Sequence, residues 1–252
     1  RKWRLTIVES LKSFEDNEGE WKAFVELEDD SRLYHCVENK IGISAARNQA
    51  AGKERSDFIA FLDGDDAWES DYLQHMANAI ALSSDDTVMW WSRLGKPLVM
   101  KSQMTGKEQL KILEYSPYEG LELFSPAYYY FYFMVHPAYP SSVIVRREAF
   151  REIGGFDEEM LRCEDQDLVM RLIHPKDGQG QAQFVDVLCV HREPSREDHK
   201  ISAEEKDWVQ ELVDRYPWPE PWDKPEDLME DVWEDMLEHI YNTRHKNFTL
   251  QD

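Results

Sequence analysis

Phe58-Ile59-Ala60-Phe61-Leu62-Asp63-Gly64-Asp65-Asp66 is the stretch whose reading decides the fold. Five apolar residues run without a break, then three aspartates crowd around one glycine. An apolar run of this length, bounded by turn residues, predicts a strand buried on both faces, as in a parallel sheet. Open α/β sheets bind ligands beyond the carboxyl ends of such strands. The acids therefore stand where a ligand is expected. Asp63, Asp65 and Asp66 repel one another unless a positive group joins them. Hard oxygen donors this close suit Mg2+ or Mn2+, which in turn hold phosphate oxygens. The plainer reading is an acidic turn in front of the helix expected from Ser70.

The flanks add three further segments. Upstream stands Asn39-Lys40-Ile41-Gly42-Ile43-Ser44-Ala45-Ala46-Arg47-Asn48. Downstream, after Trp68, come Gly154-Gly155-Phe156-Asp157 and Cys163-Glu164-Asp165-Gln166-Asp167-Leu168. In order and spacing these resemble the family 2 glycosyltransferases of the GT-A fold. That pattern is a G-x-x-x-ARN helix, an FLDxDD strand end, a GGFDE turn and an EDxDL helix start. The resemblance covers about residues 5–195.

The resemblance implies an α/β fold with a mixed, mostly parallel, Rossmann-like sheet flanked by helices. It implies transfer of a sugar from a nucleotide-diphosphate donor to a glycan or other hydroxyl acceptor, with Mn2+ or Mg2+ as cofactor. Asp65 is then the direct metal ligand, and Asp63 faces ribose or supports the metal. Gly64 belongs to the same nucleotide-sugar loop. Asp165, beside Glu164, matches the general base. His191, directly after the last core strand, is the preferred third ligand, with His199 the other candidate. Arg47 orders the acidic cluster or contacts diphosphate. The family also places a DDGS-like turn against the nucleotide base. Glu28-Asp29-Asp30-Ser31 is assigned there, although it lacks the glycine, which makes Asp29 and Asp30 nucleotide-binding candidates. A strand and a P-x-Y-N loop normally precede this region, and none is expected here.

Composition sets the outer limits. The chain has 252 residues, 42% of them hydrophobic, enough for one large α/β domain or one domain plus an appendage. A net charge of -22 disfavours nucleic-acid binding through a basic surface. Residues 197–252 carry 17 Asp and Glu against 6 Lys and Arg. The expected division is a GT-A domain over 1–196, its first strand missing, and an acidic helical extension over 197–252. Cys36, Cys163 and Cys189 are scattered and odd in number, which argues against a disulfide framework and for a reducing compartment. No apolar run is long enough to span a bilayer. The expected location is the cytoplasm, with peripheral contact at the cytosolic face of a membrane as a variant. The chain opens with Arg1 and not Met, as expected of a fragment or a processed chain.

Along the chain, Leu5, Ile7, Val8, Leu11 and Phe14 have helical spacing, and residues 21–27 alternate as a strand. Ser44 suits an N-cap for a helix ended by Gly52. Leu73, Met76, Ala77 and Ile80 stripe a helix over 70–82. Residues 88–91, 97–100, 142–145 and 183–190 read as strands, and 147–153 as a short helix. Another helix opens at Glu164, with Leu168, Val169 and Leu172 inward. Amphipathic helices are expected over 203–216 and 226–241, separated by Pro217, Pro219, Pro221 and Pro225. These helices, or the aromatic segment 115–140, could bind a partner, a second copy or an acceptor.

Sugar transfer needs stabilisation of the leaving diphosphate and removal of the acceptor proton. A divalent ion on the aspartates meets the first need as a Lewis acid. Glu164 and Asp165 offer two adjacent acids for the second, since repulsion and burial can raise one pKa. Both could equally cap helix N–H groups, which is the preferred reading for Asp167. Cys163 lacks a His partner at a recognisable spacing and reads as a buried neutral thiol. Two other classes compete: a non-catalytic GT-A-like binding module of a larger protein, and a metal-dependent nucleotidyltransferase. The latter lacks its glycine-rich basic loop.

Overall fold

A computed structural model describes residues 3–16, 25–26, 28–53, 55–101, 108–115, 139–173, 179–190, 211 and 214–216. Strand β1 (Leu5–Glu9) opens the fold, followed by helix α1 (Leu11–Asp16) and strand β2 (Leu33–Val37). The single helix expected over 5–14 is thus two elements. Thr6, Ile7 and Val8 are β-branched, stiff at χ1 and suited to a pleated strand. Ser10 makes the break, its hydroxyl accepting from the Ser13 N–H at 3.1 Å to start α1.

β1 pairs in parallel with β2, from Leu5 opposite Leu33 to Glu9 opposite Val37. The sequence did not suggest β2, because His35 and Cys36 interrupt its apolar pattern. It suggested a strand over 21–27 instead. Of that stretch Val25 and Glu26 are helical, and residues 21–24 and 27 lie outside the described residues.

Helix α2 (Ile43–Lys53) leads to β3 (Phe58–Ala60), β4 (Ala67–Trp68) and helix α3 (Tyr72–Leu82). Gly52 lies inside α2 and does not end it. Then come β5 (Thr87–Lys101), β6 (Glu108–Tyr115), a 3-10 turn at Pro140–Ser142 and β7 (Val143–Arg146). Helices α4 (Arg147–Glu152) and α5 (Glu164–Ile173) precede β8 (Gln181–Val190). The two strands expected at 88–91 and 97–100 are one long strand, whose outer half pairs with β6.

The larger sheet runs β3-β7-β5-β8-β4, with β6 joined to β5. β5 and β8 are parallel, and β7 runs against both β3 and β5. Strands β3, β5 and β8 therefore share one direction in a mixed sheet. Apolar side chains fill both faces. Val143 and Val145 of β7 join the larger core with α4 and α5, whereas Ile144 joins Trp90, Tyr72 and Met76 under α3. Fully burying a side chain of this size contributes about 1.5–3 kcal/mol. Leu168, Val169 and Leu172 face that core, as their spacing predicted.

β3 is not buried on both faces. Ile59 and Phe61 enter the larger core and Phe58 packs on the smaller one, but Ala60 and Leu62 are exposed. Among the described residues the strand ends the hydrogen-bonded path, with one edge paired, to β7. Its ladder stops at Ala60, and the chain beyond it forms the aspartate loop. Of the C-terminal extension, residues 211, 214 and 215 are helical, and Tyr216 packs against the larger core. The rest of the expected appendage, and aromatic residues 116–138, lie outside the described residues. Among the described residues no helix is long and apolar enough to cross a membrane.

The turn after α4 needs its two glycines. Gly154 and Gly155 take φ +81° and +76°, and the Gly155 N–H reaches back to the Phe150 carbonyl at 2.9 Å, a left-handed helix stop. A Cβ at Gly155 would stand 2.5 Å from Asn48 Oδ1 and 3.1 Å from the Phe150 ring. Gly155→Ala is therefore expected to cost about 1–3 kcal/mol. Urea unfolding checks this, and an unchanged midpoint would contradict it.

Candidate functional site

Arg47, one turn into α2, is the meeting point. Its Nη2 donates to both oxygens of Asp63 at 2.8 Å, and its Nη1 donates to Glu164 Oε1 at 2.9 Å. The Arg47 side chain is only 9% exposed, against 32% for Asp63 and 12% for Glu164. Its guanidinium also lies over the Phe156 ring, 5.2 Å from the centroid. One buried cation thus joins the aspartate loop to the first turn of α5. Asn48, the next residue, grips the glycine turn. Its Nδ2 donates to the Phe156 carbonyl and its Oδ1 accepts from the Phe156 N–H, both at 2.9 Å.

The loop is held from below. The Asp66 N–H closes a turn on the Asp63 carbonyl at 3.0 Å. The Asp63 N–H donates to Ser141 Oγ at 2.9 Å, and Trp68 Nε1 donates to the Ser141 carbonyl at 2.6 Å. Trp68 stacks on Tyr72 with centroids 4.8 Å apart, and the Tyr72 hydroxyl meets Ser92 Oγ at 3.1 Å. Ser141 and Ser142 are wholly buried. No local pattern singles out Ser141, which reads in the sequence only as the approach to a strand. Asn48 stood inside a recognised segment but without a function.

Asp65 is exposed at the loop tip, and Asp66 and Gly64 flank it. Each Asp63 oxygen accepts from Arg47, and each keeps a second lone pair for a further donor or a metal ion. Among the described residues no group of three His, Cys, Asp or Glu could hold a metal ion. Mg2+-type ions need only one or two protein carboxylates when substrate phosphates supply the rest. Asp65 fits that demand. His191 lies outside the described residues, but β8 ends at Val190 opposite Ala67, the residue after Asp66.

Across Arg47, Glu164 and Asp165 start α5. Burial and then the neighbouring Asp165 charge push the Glu164 carboxyl above the usual range, against the pull of Arg47. Asp165 is half-buried, and its Oδ1 accepts from the Gln166 N–H at 2.8 Å. Asp167 does not cap helix N–H groups as expected; it is a buried anchor whose carboxylate takes side-chain partners, Arg171, Arg215 and Tyr216. Cys163 is half-buried with φ +57°, a turn residue and not a core thiol. At Cys189, burial and then Asp66 and Asp63 push the thiol up to about 12, so it stays neutral.

Asp29 and Asp30 are not brought to this site. They precede β2, at the end opposite Val37, and Asp30 pairs with Arg32 at 2.6 Å. The acid ending a strand on the site-side edge is Glu9. It is buried, 3.0 Å from His35 Nε2 through Oε2, and its Oε1 accepts from the Ser13 hydroxyl at 2.8 Å. Reading β1 as a helix hid this position.

The profile of the family described as "Glycosyltransferase like family 2" matches residues 1–177. Among curated protein sequences nothing matches the chain. Solved structures similar in fold include a mannosyltransferase from Pyrobaculum calidifontis in complex with GDP-Man and Mn2+, at 14% identity and TM-score 0.53; the match covers 95% of this chain and 60% of that one. S. aureus TarS with UDP-GlcNAc matches at 13% identity and TM-score 0.54, over 98% and 67%. GalNAc-T7 with UDP, GalNAc and Mn2+ matches at 14% and 0.52, over 98% and 52%. At such identities the likeness shows the fold, which is GT-A. The chain spans only 60% of the mannosyltransferase and 52% of GalNAc-T7.

Breaking a buried ion pair costs about 3–5 kcal/mol, so Arg47→Met is expected to destabilise by that amount in urea unfolding. A loss below about 1 kcal/mol would show the pair to be solvated. Glu164 adds a pH signature. The folded state holds its proton more tightly than the unfolded chain, so its contribution to stability is full below the ordinary Glu value and is lost as pH rises through the raised one. The stability of the native chain relative to Glu164→Gln should fall over that window, and a flat difference would contradict the raised carboxyl.

Proposed function

The chain belongs to the glycosyltransferase-like family 2, and on that premise we propose that it moves a sugar from a nucleotide-diphosphate donor to an acceptor hydroxyl, with inversion at the anomeric carbon. The observation that carries this reading is the shared guanidinium of Arg47. It joins the loop of Asp63, read as the donor side, to the helix start of Glu164 and Asp165, read as the acceptor side. The GDP-Man and UDP-GlcNAc of the similar structures support a nucleotide sugar as donor.

Asp65 is the proposed ligand of a divalent cation, with His191 a further one where β8 ends beside the aspartate loop. When bound, the ion would act as a Lewis acid towards the leaving diphosphate. Asp63, fixed by Arg47 and Ser141, lines the ribose side together with Gly64. Among the described residues nothing lies within 4 Å of a Cβ built at Gly64, which is compatible with a ligand over the loop tip. Asp165 takes the acceptor proton as the hydroxyl oxygen attacks the anomeric carbon. The bond to the diphosphate oxygen breaks on the opposite face, and its electron pair leaves with the diphosphate. Glu164 is already committed to Arg47, so its role is to hold the base-bearing turn in place.

Thermal shift with UDP, GDP, CDP and dTDP, each with and without Mn2+, tests the premise. Metal-dependent stabilisation by one nucleotide is expected and names the donor base. No response to any of them would favour a non-catalytic binding module. Asp65→Asn should abolish the metal-dependent response. Asp165→Asn should keep it and abolish transfer; persistent transfer would put the base elsewhere. NMR of the product should show inverted configuration, and retention would overturn the direct displacement.

A further inference from the structure

We propose that Arg215 and Tyr216 are positioning residues, which clamp the first turn of α5 from outside the sheet and so fix Asp165 for proton transfer. This rests on the transfer reading above. The clamp closes on Asp167, a carboxylate with no solvent exposure.

The two oxygens of Asp167 are divided between two sources. Oδ2 is taken from within the fold, by Arg171 Nε at 2.8 Å and Nη2 at 2.5 Å. Oδ1 is taken from the C-terminal segment, by the Tyr216 hydroxyl at 2.8 Å and Arg215 Nη1 at 3.2 Å. Arg215 goes further: its Nη1 also donates to Asp157 Oδ2 at 2.8 Å, and its Nη2 to Glu211 Oε1 at 2.8 Å. Arg171 Nη1 meanwhile donates to the carbonyls of Ile153 at 2.8 Å and Gly155 at 2.6 Å. The glycine turn and α5 are therefore tied twice, once by Arg171 and once by residues far along the chain.

The consequence falls on Asp165. Glu164, on one side of it in sequence, is pinned by Arg47. Asp167, two residues on, is pinned by the clamp. Asp165 sits between two anchored neighbours, and little freedom remains for its backbone. Burial and then the Asp167 charge raise the Tyr216 hydroxyl above its usual range, so it remains a donor wherever the protein is folded. Among the described residues Arg215 and Tyr216 are the donors to Asp167 Oδ1, so removing both would leave a buried carboxylate oxygen short of donors, an expensive state. The readiest relief is a shift of the first turn of α5 towards water, which carries Asp165 with it. A misplacement of about 1 Å can cost about 100-fold in rate.

The test uses the whole chain with Arg215→Gln plus Tyr216→Phe, and Tyr216→Phe alone, which keeps the packed ring. At saturating acceptor the double variant is expected to lose about tenfold or more in kcat with donor KM within about twofold. Arg215→Lys, which keeps a charged donor for Asp157 and Asp167, should recover most of that loss. A double variant that melts earlier yet keeps kcat within about twofold overturns the proposal, because the contacts are then merely structural. If the native chain transfers no sugar, the functional reading fails by itself. Hydrogen exchange then decides on the clamp: faster exchange in the double variant confined to the first turn of α5 supports it, and unchanged exchange there overturns it.

Discussion

A buried guanidinium must be paired, and in this fold that requirement is met by two carboxylates from distant parts of the chain. Arg47 reaches 16 residues ahead to Asp63 and 117 residues ahead to Glu164. Removing a charge from water is costly unless its partners are well placed. The loop after β3 and the start of α5 therefore cannot drift apart without leaving Arg47 short of a partner. The spacing of the two acidic segments follows from that single constraint, and the proposed chemistry is a use of it.

The remaining contacts hold what Arg47 joins. Ser141 and Trp68 fix the loop backbone, so Asp65 projects from a formed turn. Asn48 copies a strand edge against Phe156, and this close approach leaves no room for a side chain at Gly155. The two cores place the platform: β7 sends alternate residues to opposite faces, and the loop hangs from its neighbour β3. Pre-formed groups of this kind would spare the proposed reaction the cost of assembling them.

The GT-A fold class and the segments that meet at Arg47 were legible in the sequence, and the course of the first forty residues was not. Four short segments gave the aspartate loop, Arg47, the glycine turn and Glu164-Asp165, because each needs particular residue types at fixed spacing. The first forty residues were harder. Leu5, Ile7, Val8, Leu11 and Phe14 satisfy a helical stripe, yet the first three lie on a strand and the last two on a helix. Spacing alone cannot separate a strand plus a helix from one helix when a serine cap marks the only break. β2 was hidden by His35 and Cys36 in its pattern, and the strand expected over 21–27 sent the acidic turn to Asp29 and Asp30. Ser141 and Arg215 were invisible for another reason: their roles exist only in partners set by the tertiary fold, and no local pattern announces them.

The most direct measurement is a crystal structure with the stabilising nucleotide diphosphate and Mg2+. The expected result is an ion about 2.0–2.1 Å from an Asp65 oxygen, the pyrophosphate beside it, Asp63 and Glu164 still sharing Arg47, and Asp165 facing the bound nucleotide. An ion or nucleotide bound away from Asp65, or Arg47 released from both acids, would contradict it.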